Sequence, residues 1–201
     1  IFAVVTTGPF WPMPSLATPA VWVTAFLAVL YLYCQAQILH GSKGIPAWRH
    51  PSLIPVIITT GITEGAGIIL ITTSLLGSLY DWMMILLVAL LLGRWLAWRR
   101  YVADLTDTGA PAKALDVLNK ATMPINLAGH LAPVIFIVLG LVVGPLGPWL
   151  VAVGALFAVL GGWWLKFVVI VRAAFNQGFA LPLTPVRGAG NPGTGDKPGW
   201  N

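Results

Sequence analysis

Long apolar runs separated by short polar segments set the predicted elements of this chain. A membrane-spanning helix needs roughly 20 apolar residues. Five stretches reach that length, at about 18–40, 53–77, 80–99, 123–144 and 148–172. Only a helix satisfies all of its own backbone groups within one segment of a bilayer-spanning chain. The pattern therefore predicts an all-α fold, a polytopic transmembrane helix bundle with about five spans visible.

The segments outside these runs divide the chain into two parts. Residues 1–180 are predicted to form the transmembrane bundle, with a short cytoplasmic surface helix near 111–120 that begins at Pro111. Residues 181–201 are rich in Pro and Gly and have no apolar period, so we expect an extended C-terminal tail. The chain starts without Met or a basic leader segment, and we expect it to begin partway through a longer protein.

Composition excludes an ordinary soluble domain. Hydrophobic residues fill 58% of the 201 positions and charged residues only 8%, against about a quarter charged in soluble domains. The single cysteine, Cys34, excludes an intrachain disulfide and a cysteine-based metal cluster. The net charge of +5 is not arranged as a basic run with interleaved aromatic residues, so we expect a lipid bilayer as partner and no nucleic acid.

The cations predict the orientation of the bundle. All 11 Lys and Arg residues fall in three regions that five spans would place on one side of the membrane, namely 41–52, 94–122 and 166–201. The positive-inside rule then assigns the C-terminus and both longer connectors to the cytoplasm. An interfacial aromatic belt is predicted at the same face, formed by Trp48, Trp95, Trp98 and Trp163 or Trp164.

Glu64, the only glutamate, lies inside an apolar run. It follows Leu53 by about 16 Å of helix, which puts it near the bilayer centre. A carboxylate there is expected to be protonated, paired, or exposed to a hydrated cavity. One interpretation is close helix packing through Gly61 and Gly65, with Glu64 as an interhelical hydrogen-bonding group. We favour a proton-conducting or quinone-linked role, because an intramembrane ionisable residue is a functional candidate by default.

Two histidines on different predicted spans are further candidates. His40 ends the first span, and His130 lies in the fourth, between Gly129 and Pro133. Such a pair could ligate a haem b, but we favour a hydrogen-bonding or proton-relay role over ligation. The glycine and proline predict a local kink that exposes carbonyl groups to water.

Two cations inside apolar runs complete the candidate set. Arg94 either snorkels to the membrane surface or pairs with Glu64 or a ligand oxygen inside the bundle. For Lys166 we favour snorkelling. The sequence contains no phosphate-binding loop, zinc-protease motif or CxxC pair. We therefore expect no bound metal, and we expect the demanding redox chemistry to belong to other subunits.

Two blocks of sequence carry a resemblance to a known family. They comprise Tyr31–Leu39, Lys43–Arg49 and Thr60–Gly67 in the first block, and Trp98–Tyr101, Gly109–Pro111, Gly129-His130 and Pro133 in the second. Together they cover roughly half of the chain. The chain resembles the DmsC/NrfD-type membrane subunits of molybdenum or tungsten oxidoreductases, and within them the branch of phenylacetyl-CoA:acceptor oxidoreductase membrane subunits.

The resemblance implies a larger assembly. Members of the family have about eight spans, so this chain would be the C-terminal part, with residues 1–10 leaving the third span. An iron-sulfur ferredoxin-like subunit, next to a molybdenum or tungsten catalytic subunit, would dock at one face near a quinone site. The location implied is a bacterial or archaeal inner membrane. The family's pocket residues come from the early helices, so none is carried over to this chain.

The leading hypothesis is a membrane anchor and quinone-reactive subunit that passes electrons between an iron-sulfur subunit and menaquinone or ubiquinone. Glu64 and His130 are predicted to handle protons. His40, Trp48, Arg49 and Arg94 are predicted to line the headgroup end of the quinone site or to dock the partner. No covalently bound cofactor is expected. The alternatives are a proton-translocating subunit that uses Glu64, Arg94 and His130, a purely structural anchor, and a haem b anchor.

Overall fold

A computed structural model describes residues 17–175 together with residues 183–184 and 193–194. Its α-helices are α1 (Ala17–His40), α2 (Leu53–Leu75), α3 (Asp81–Asp107), α4 (Ala112–Pro124), α5 (Ala132–Val142) and α6 (Gly147–Phe167). Two π-helical segments, Ile125–Leu131 and Val168–Arg172, follow α4 and α6. A two-residue strand, Leu183–Thr184, pairs antiparallel with Gly193–Thr194. The predicted exit segment 1–10 and the other residues of the predicted tail lie outside the described residues.

The prediction of an all-α bundle with five spans is confirmed. Five helical stretches are long and apolar enough to cross a membrane, at Pro19–His40, Leu53–Leu75, Asp81–Asp107, Ala112–Val142 and Gly144–Arg172. The protein is a multi-pass membrane protein by helix length and hydropathy. The third helix continues past its predicted end at residue 99, because Tyr101 and Leu105 extend its buried face by two further turns.

The helix predicted near 111–120 is not a separate element. α4 begins at Ala112, directly after Pro111, and it continues through the first π-helical segment into α5 without a break. Pro124 lies inside this helix. A proline has no N–H to donate to the preceding turn, and a local π-helical turn is one way for a helix to absorb that loss.

Two hydrophobic cores lie at opposite ends of the bundle. The connector-side core contains, among others, Leu53, Trp98, Tyr101, Leu118, Leu165 and Val169. The opposite core contains Leu70, Met84, Leu87, Leu91, Ile137, Val151, Ala155 and Ala158. α6 packs against α2 and α5, and α2 also packs against α3. α1 packs mainly on α2, and only 6% of its apolar window is buried, so most of its surface is not covered by the described part of the chain.

Glycines permit two of the close approaches of α2. A Cβ built on Gly61 would overlap the Leu32 side chain of α1, and one on Gly67 would come within 2.8 Å of Val159 in α6. A Cβ on Gly65 would meet no atom within 4 Å. The predicted packing pair is therefore wrong in its second member, since Gly65 is on the exposed side of the helix.

The connector between α1 and α2 is bonded to the end of the bundle. Trp48 Nε1 donates a hydrogen bond to Val169 O at 2.9 Å, and Tyr101 OH donates one to Ala47 O at 3.0 Å. Trp98 was predicted to lie in an interfacial belt, and this is wrong. Its side chain is fully buried and donates to Thr122 Oγ1 at 3.2 Å, because the extended α3 and α4 cover it.

Candidate functional site

Four charged or titratable side chains meet between the two hydrophobic cores. Glu64 comes from α2, Arg94 from α3, His130 from the first π-helical segment and Lys166 from α6. We call these four residues the buried polar cluster. Arg94 is fully buried, while His130 and Glu64 have relative exposures of 7% and 8%. On each of these helices the polar residue lies next to or between side chains of the two cores.

Arg94 is bonded entirely inside the protein. Its Nε donates to His130 Nε2 at 3.2 Å, and its Nη1 donates to Ala158 O at 2.9 Å. Its Nη2 donates to Gly129 O. The snorkelling alternative for Arg94 does not describe this conformation, because the side chain has no exposed surface. The guanidinium instead joins α3 to α6 and to the π-helical segment.

The local sequence explains why Gly129 O is available to Arg94. In an α-helix this carbonyl would accept from the N–H four residues ahead, and that residue is Pro133, which has no N–H. The built Cβ of Gly129 would also lie only 3.6 Å from Arg94 Nη2 and 3.3 Å from the backbone of Gly161. The carbonyl predicted to be exposed to water at this position is instead bonded to the buried guanidinium of Arg94.

The partners of His130 define its tautomer. The Nε of Arg94 can only donate, so His130 Nε2 is the acceptor of their bond. Nδ1 then carries the proton and donates to Ile125 O at 3.1 Å, as assigned from this bonding pattern. Both ring nitrogens have protein partners in this neutral form. His130 therefore has no free nitrogen for a haem iron in this conformation.

Glu64 forms an ion pair across the bundle. Its Oε2 accepts from Lys166 Nζ at 2.5 Å, between a carboxylate side chain with 10% exposure and an ammonium side chain with 31% exposure. Of the options expected for this carboxylate, the structure has the paired one. The preference for a snorkelling Lys166 is wrong, because its position on α6 faces Glu64.

The second carboxylate oxygen gives the cluster an open acceptor. Glu64 Oε1 is buried and accepts no hydrogen bond from the described part of the protein. A Cβ built on Gly162 would come within 2.6 Å of this oxygen and 3.1 Å of Arg94 Nη1. Glu64 and Arg94 thus both approach the same glycine. The cluster combines one carboxylate with two cations and a neutral histidine.

The remaining candidates lie apart from this cluster, at the connector. His40, Lys43 and Arg49 line a surface cavity of about 430 Å³. Arg49 Nε donates to Lys43 O, and His40 Nδ1 is buried without a partner. Trp48 belongs to neither group, since its indole bonds to Val169 O. The structure therefore divides the predicted headgroup set into Arg94 in the cluster, His40 and Arg49 in the cavity, and Trp48 as an anchor of the connector.

Sequence reasoning missed two members of these sites. The sequence shows Lys166 only as a cation in an apolar run. Its partner Glu64 is 102 positions away, so no local pattern indicates the pairing. Lys43 was counted only as a charge that sets orientation. Within residues 17–175 and the two short strands, no group of three or more His, Cys, Asp or Glu side chains is placed to hold a metal ion.

Comparisons with family models, curated proteins and solved structures found no match to this chain. Its site is therefore interpreted from geometry. A carboxylate with one paired and one open oxygen, next to a histidine in a defined tautomer, can accept, hold and release protons within a membrane bundle.

Proposed function

We propose that this protein is a quinone-reactive membrane anchor of a multi-subunit redox enzyme, and that the buried polar cluster handles the protons of the quinone reaction. The observation that carries the proposal is the state of Glu64. One carboxylate oxygen is bonded to Lys166, and the other is buried with no partner. An open acceptor in the interior of a membrane bundle is costly, and such costs are typical of functional sites.

The chemistry requires such a group. Reduction of a quinone to a quinol consumes two electrons and two protons, and oxidation of a quinol releases them. In this proposal an iron-sulfur subunit, next to a molybdenum or tungsten subunit, supplies or accepts the electrons. The chain described here supplies the protonatable groups, so that charge does not accumulate in the low-dielectric interior.

Each member of the cluster has a role in this scheme. Lys166 has the most exposed side chain of the four and lies at the outer end of the path, where it exchanges protons with water. Glu64 holds a proton further inside. His130 can take up a proton at Nε2 only if its bond from Arg94 is released. Arg94 is a positioning residue, because it fixes the histidine and two helix carbonyls.

The connector end of the bundle is the proposed docking face for the electron-transferring partner. Its backbone is held by Trp48 and Tyr101, which gives a partner a rigid surface. Arg99 and Arg100 on the neighbouring end of α3 are exposed. Cations on this face suit an acidic partner and would steer its approach.

The test is a comparison of two variants in the complex purified with its native subunits. Glu64→Gln keeps the size and one oxygen of the side chain but cannot hold the transferred proton. We expect quinone-coupled turnover to fall by about 10²-fold, the usual range for loss of a proton-handling group, with the subunits still assembled. Ser74→Ala is the matched control, because Ser74 is a buried, unpartnered polar residue elsewhere on α2. Turnover that is unchanged in Glu64→Gln would contradict the proton role.

A proton-translocating subunit is the second candidate, because the same cluster links four helices through the bundle. It predicts a proton flux in liposomes that contain this chain without any redox partner. A haem b anchor predicts haem bands in a reduced-minus-oxidised spectrum of the complex. A purely structural anchor predicts normal turnover in every cluster variant that assembles.

A further inference from the structure

The cavity at the end of α1 is lined by three side chains that donate or carry positive charge. His40, Lys43 and Arg49 surround about 430 Å³. Lys43 and Arg49 are exposed, and His40 Nδ1 is buried without a partner. Nearby Asp104 lies 3.7 Å from His50 and 3.7 Å from Arg100 instead. The cavity therefore presents concentrated positive charge at a helix end.

The acceptor groups that usually weaken an anion site at a helix C-terminus are already bonded. Gly41 N donates to Gln37 O at 2.8 Å, and Ser42 N donates to Leu39 O at 3.0 Å. Ser42 Oγ donates to Ile38 O at 3.1 Å. Arg49 Nε donates to Lys43 O, which fixes the guanidinium beside the cavity. The carbonyls of Gln37, Ile38 and Leu39 therefore have donors, and the side chains that line the cavity are basic.

The face of α1 that carries His40 continues from this cavity along the exposed part of the helix. Positions at helical spacing below His40 are Gln37, Tyr33, Val29 and Phe26. Gln37 Nε2 donates to Tyr33 OH at 2.6 Å, so neutral polar side chains follow the basic side chains of the cavity along this face. Val29 and Phe26 are 50% and 67% exposed and begin an apolar track. Charge, neutral polar groups and apolar surface therefore follow one another along one helix face.

We propose that this cavity binds the phosphate of an anionic phospholipid, whose acyl chains lie along the exposed face of α1. A basic pocket at the ends of membrane helices is the usual form of such a site. A quinone ring is neutral and gains little from three basic groups. A free phosphate or an acidic protein segment would use the charges of the cavity but not the apolar track. An anionic phospholipid would use the charged cavity, the neutral polar side chains and the apolar track together.

The test uses the protein purified with its native subunits and two lipids, phosphatidylglycerol and phosphatidylcholine, with bound lipid counted by native mass spectrometry. We expect the protein to retain phosphatidylglycerol in preference. The double variant Lys43→Gln/Arg49→Gln should lose that preference by about fivefold for each cation removed. The control Arg100→Gln/Lys120→Gln removes the same charge from ion-paired side chains that are 80% and 76% exposed. This control variant should keep the preference for phosphatidylglycerol. Lys43→Gln alone serves if the double variant does not fold, since the Lys43 side chain is exposed.

Four results would overturn the proposal. An equal loss in both double variants would mean that surface charge in general attracts the lipid. No loss in either would mean that the cavity does not bind it. Inorganic phosphate that displaces phosphatidylglycerol and binds equally well alone would make this a site for a free anion. A Lys43→Gln/Arg49→Gln protein that keeps its lipid but loses co-purifying subunits would make it a protein docking site.

Discussion

The Nε atom of Arg94 donates a hydrogen bond to Nε2 of His130 at 3.2 Å, across two helices and 36 positions of sequence. That single contact fixes the tautomer of the histidine and occupies the lone pair of its Nε2 atom. Because the same guanidinium also bonds to Gly129 O and Ala158 O, one side chain sets the relative positions of three helical segments.

The geometry of that guanidinium should matter more than its charge. Arg94→Lys keeps the positive charge but cannot reach three acceptors in a planar fork. We expect the free energy of unfolding to fall by about 2–4 kcal/mol, since buried acceptors lose their donors. Thermal or denaturant unfolding of the purified protein measures this. Arg100→Lys, at an exposed position, should change stability by less than about 0.5 kcal/mol. Equal effects of the two variants would contradict the bonding role of Arg94.

Gly162 should be intolerant of a methyl group. A Cβ there would lie 2.6 Å from Glu64 Oε1 and 3.1 Å from Arg94 Nη1, so the ion pair has to shift. We expect Gly162→Ala to destabilise the protein by about 1–3 kcal/mol through overpacking. Gly93→Ala is the matched control on α3, because its Cβ would meet no atom within 4 Å. That variant should be neutral or stabilising by up to about 1 kcal/mol.

The ion pair between Glu64 and Lys166 should show measurable coupling. In a cycle of Glu64→Gln, Lys166→Gln and the double variant, we expect a coupling energy of about 1–3 kcal/mol, because each single change leaves a poorly solvated group without its partner. Asp116 and Lys120 form the comparison pair at 2.7 Å, with side chains 58% and 76% exposed. Their coupling should stay below about 0.5 kcal/mol. A value that small for Glu64 and Lys166 would mean that water screens the pair.

The connector should loosen when the indole N–H that donates to Val169 O is removed. Trp48→Phe removes the hydrogen bond to Val169 O but keeps most of the apolar contact. We expect faster amide hydrogen exchange over residues 44–51, corresponding to about 1 kcal/mol of local stability. Trp22→Phe is the control, since Trp22 is 72% exposed on α1 and distant from the connector in sequence. Unchanged exchange in Trp48→Phe would show that Tyr101 alone holds the connector.

The sequence predicts the fold well because bilayer thickness translates directly into run length. Five apolar runs became five helical stretches, with errors at their ends and in the predicted surface helix, which is the start of the fourth stretch. Trp98 and Tyr101 illustrate this limit. From sequence Trp98 marks a membrane interface, but in the fold it is buried and bonds to Thr122 of α4, while Tyr101 is buried and bonds to the connector. A cation-rich helix end does not reveal whether water or another helix covers it.

The candidate site was predictable in its members but not in its pairing. Glu64, Arg94 and His130 stand out because each is costly in an apolar run. Which of them meet depends on the rotation of each helix about its axis, and no local pattern specifies that rotation. Lys166 shows the consequence, since a cation near a helix end is compatible with both snorkelling and pairing until the packing of α6 on α2 is known.

The distance in sequence between the two ends of the ion pair also constrains how the protein is made. Glu64 precedes Lys166 by 102 residues. At ordinary rates of synthesis, roughly 5–20 seconds separate their emergence from the ribosome. During that interval the carboxylate of α2 faces an insertion cost of about 3 kcal/mol without its counter-charge. The carboxylate of α2 therefore gains its counter-charge only after α6 has been made, so the order in which helices enter the bilayer matters for this ion pair.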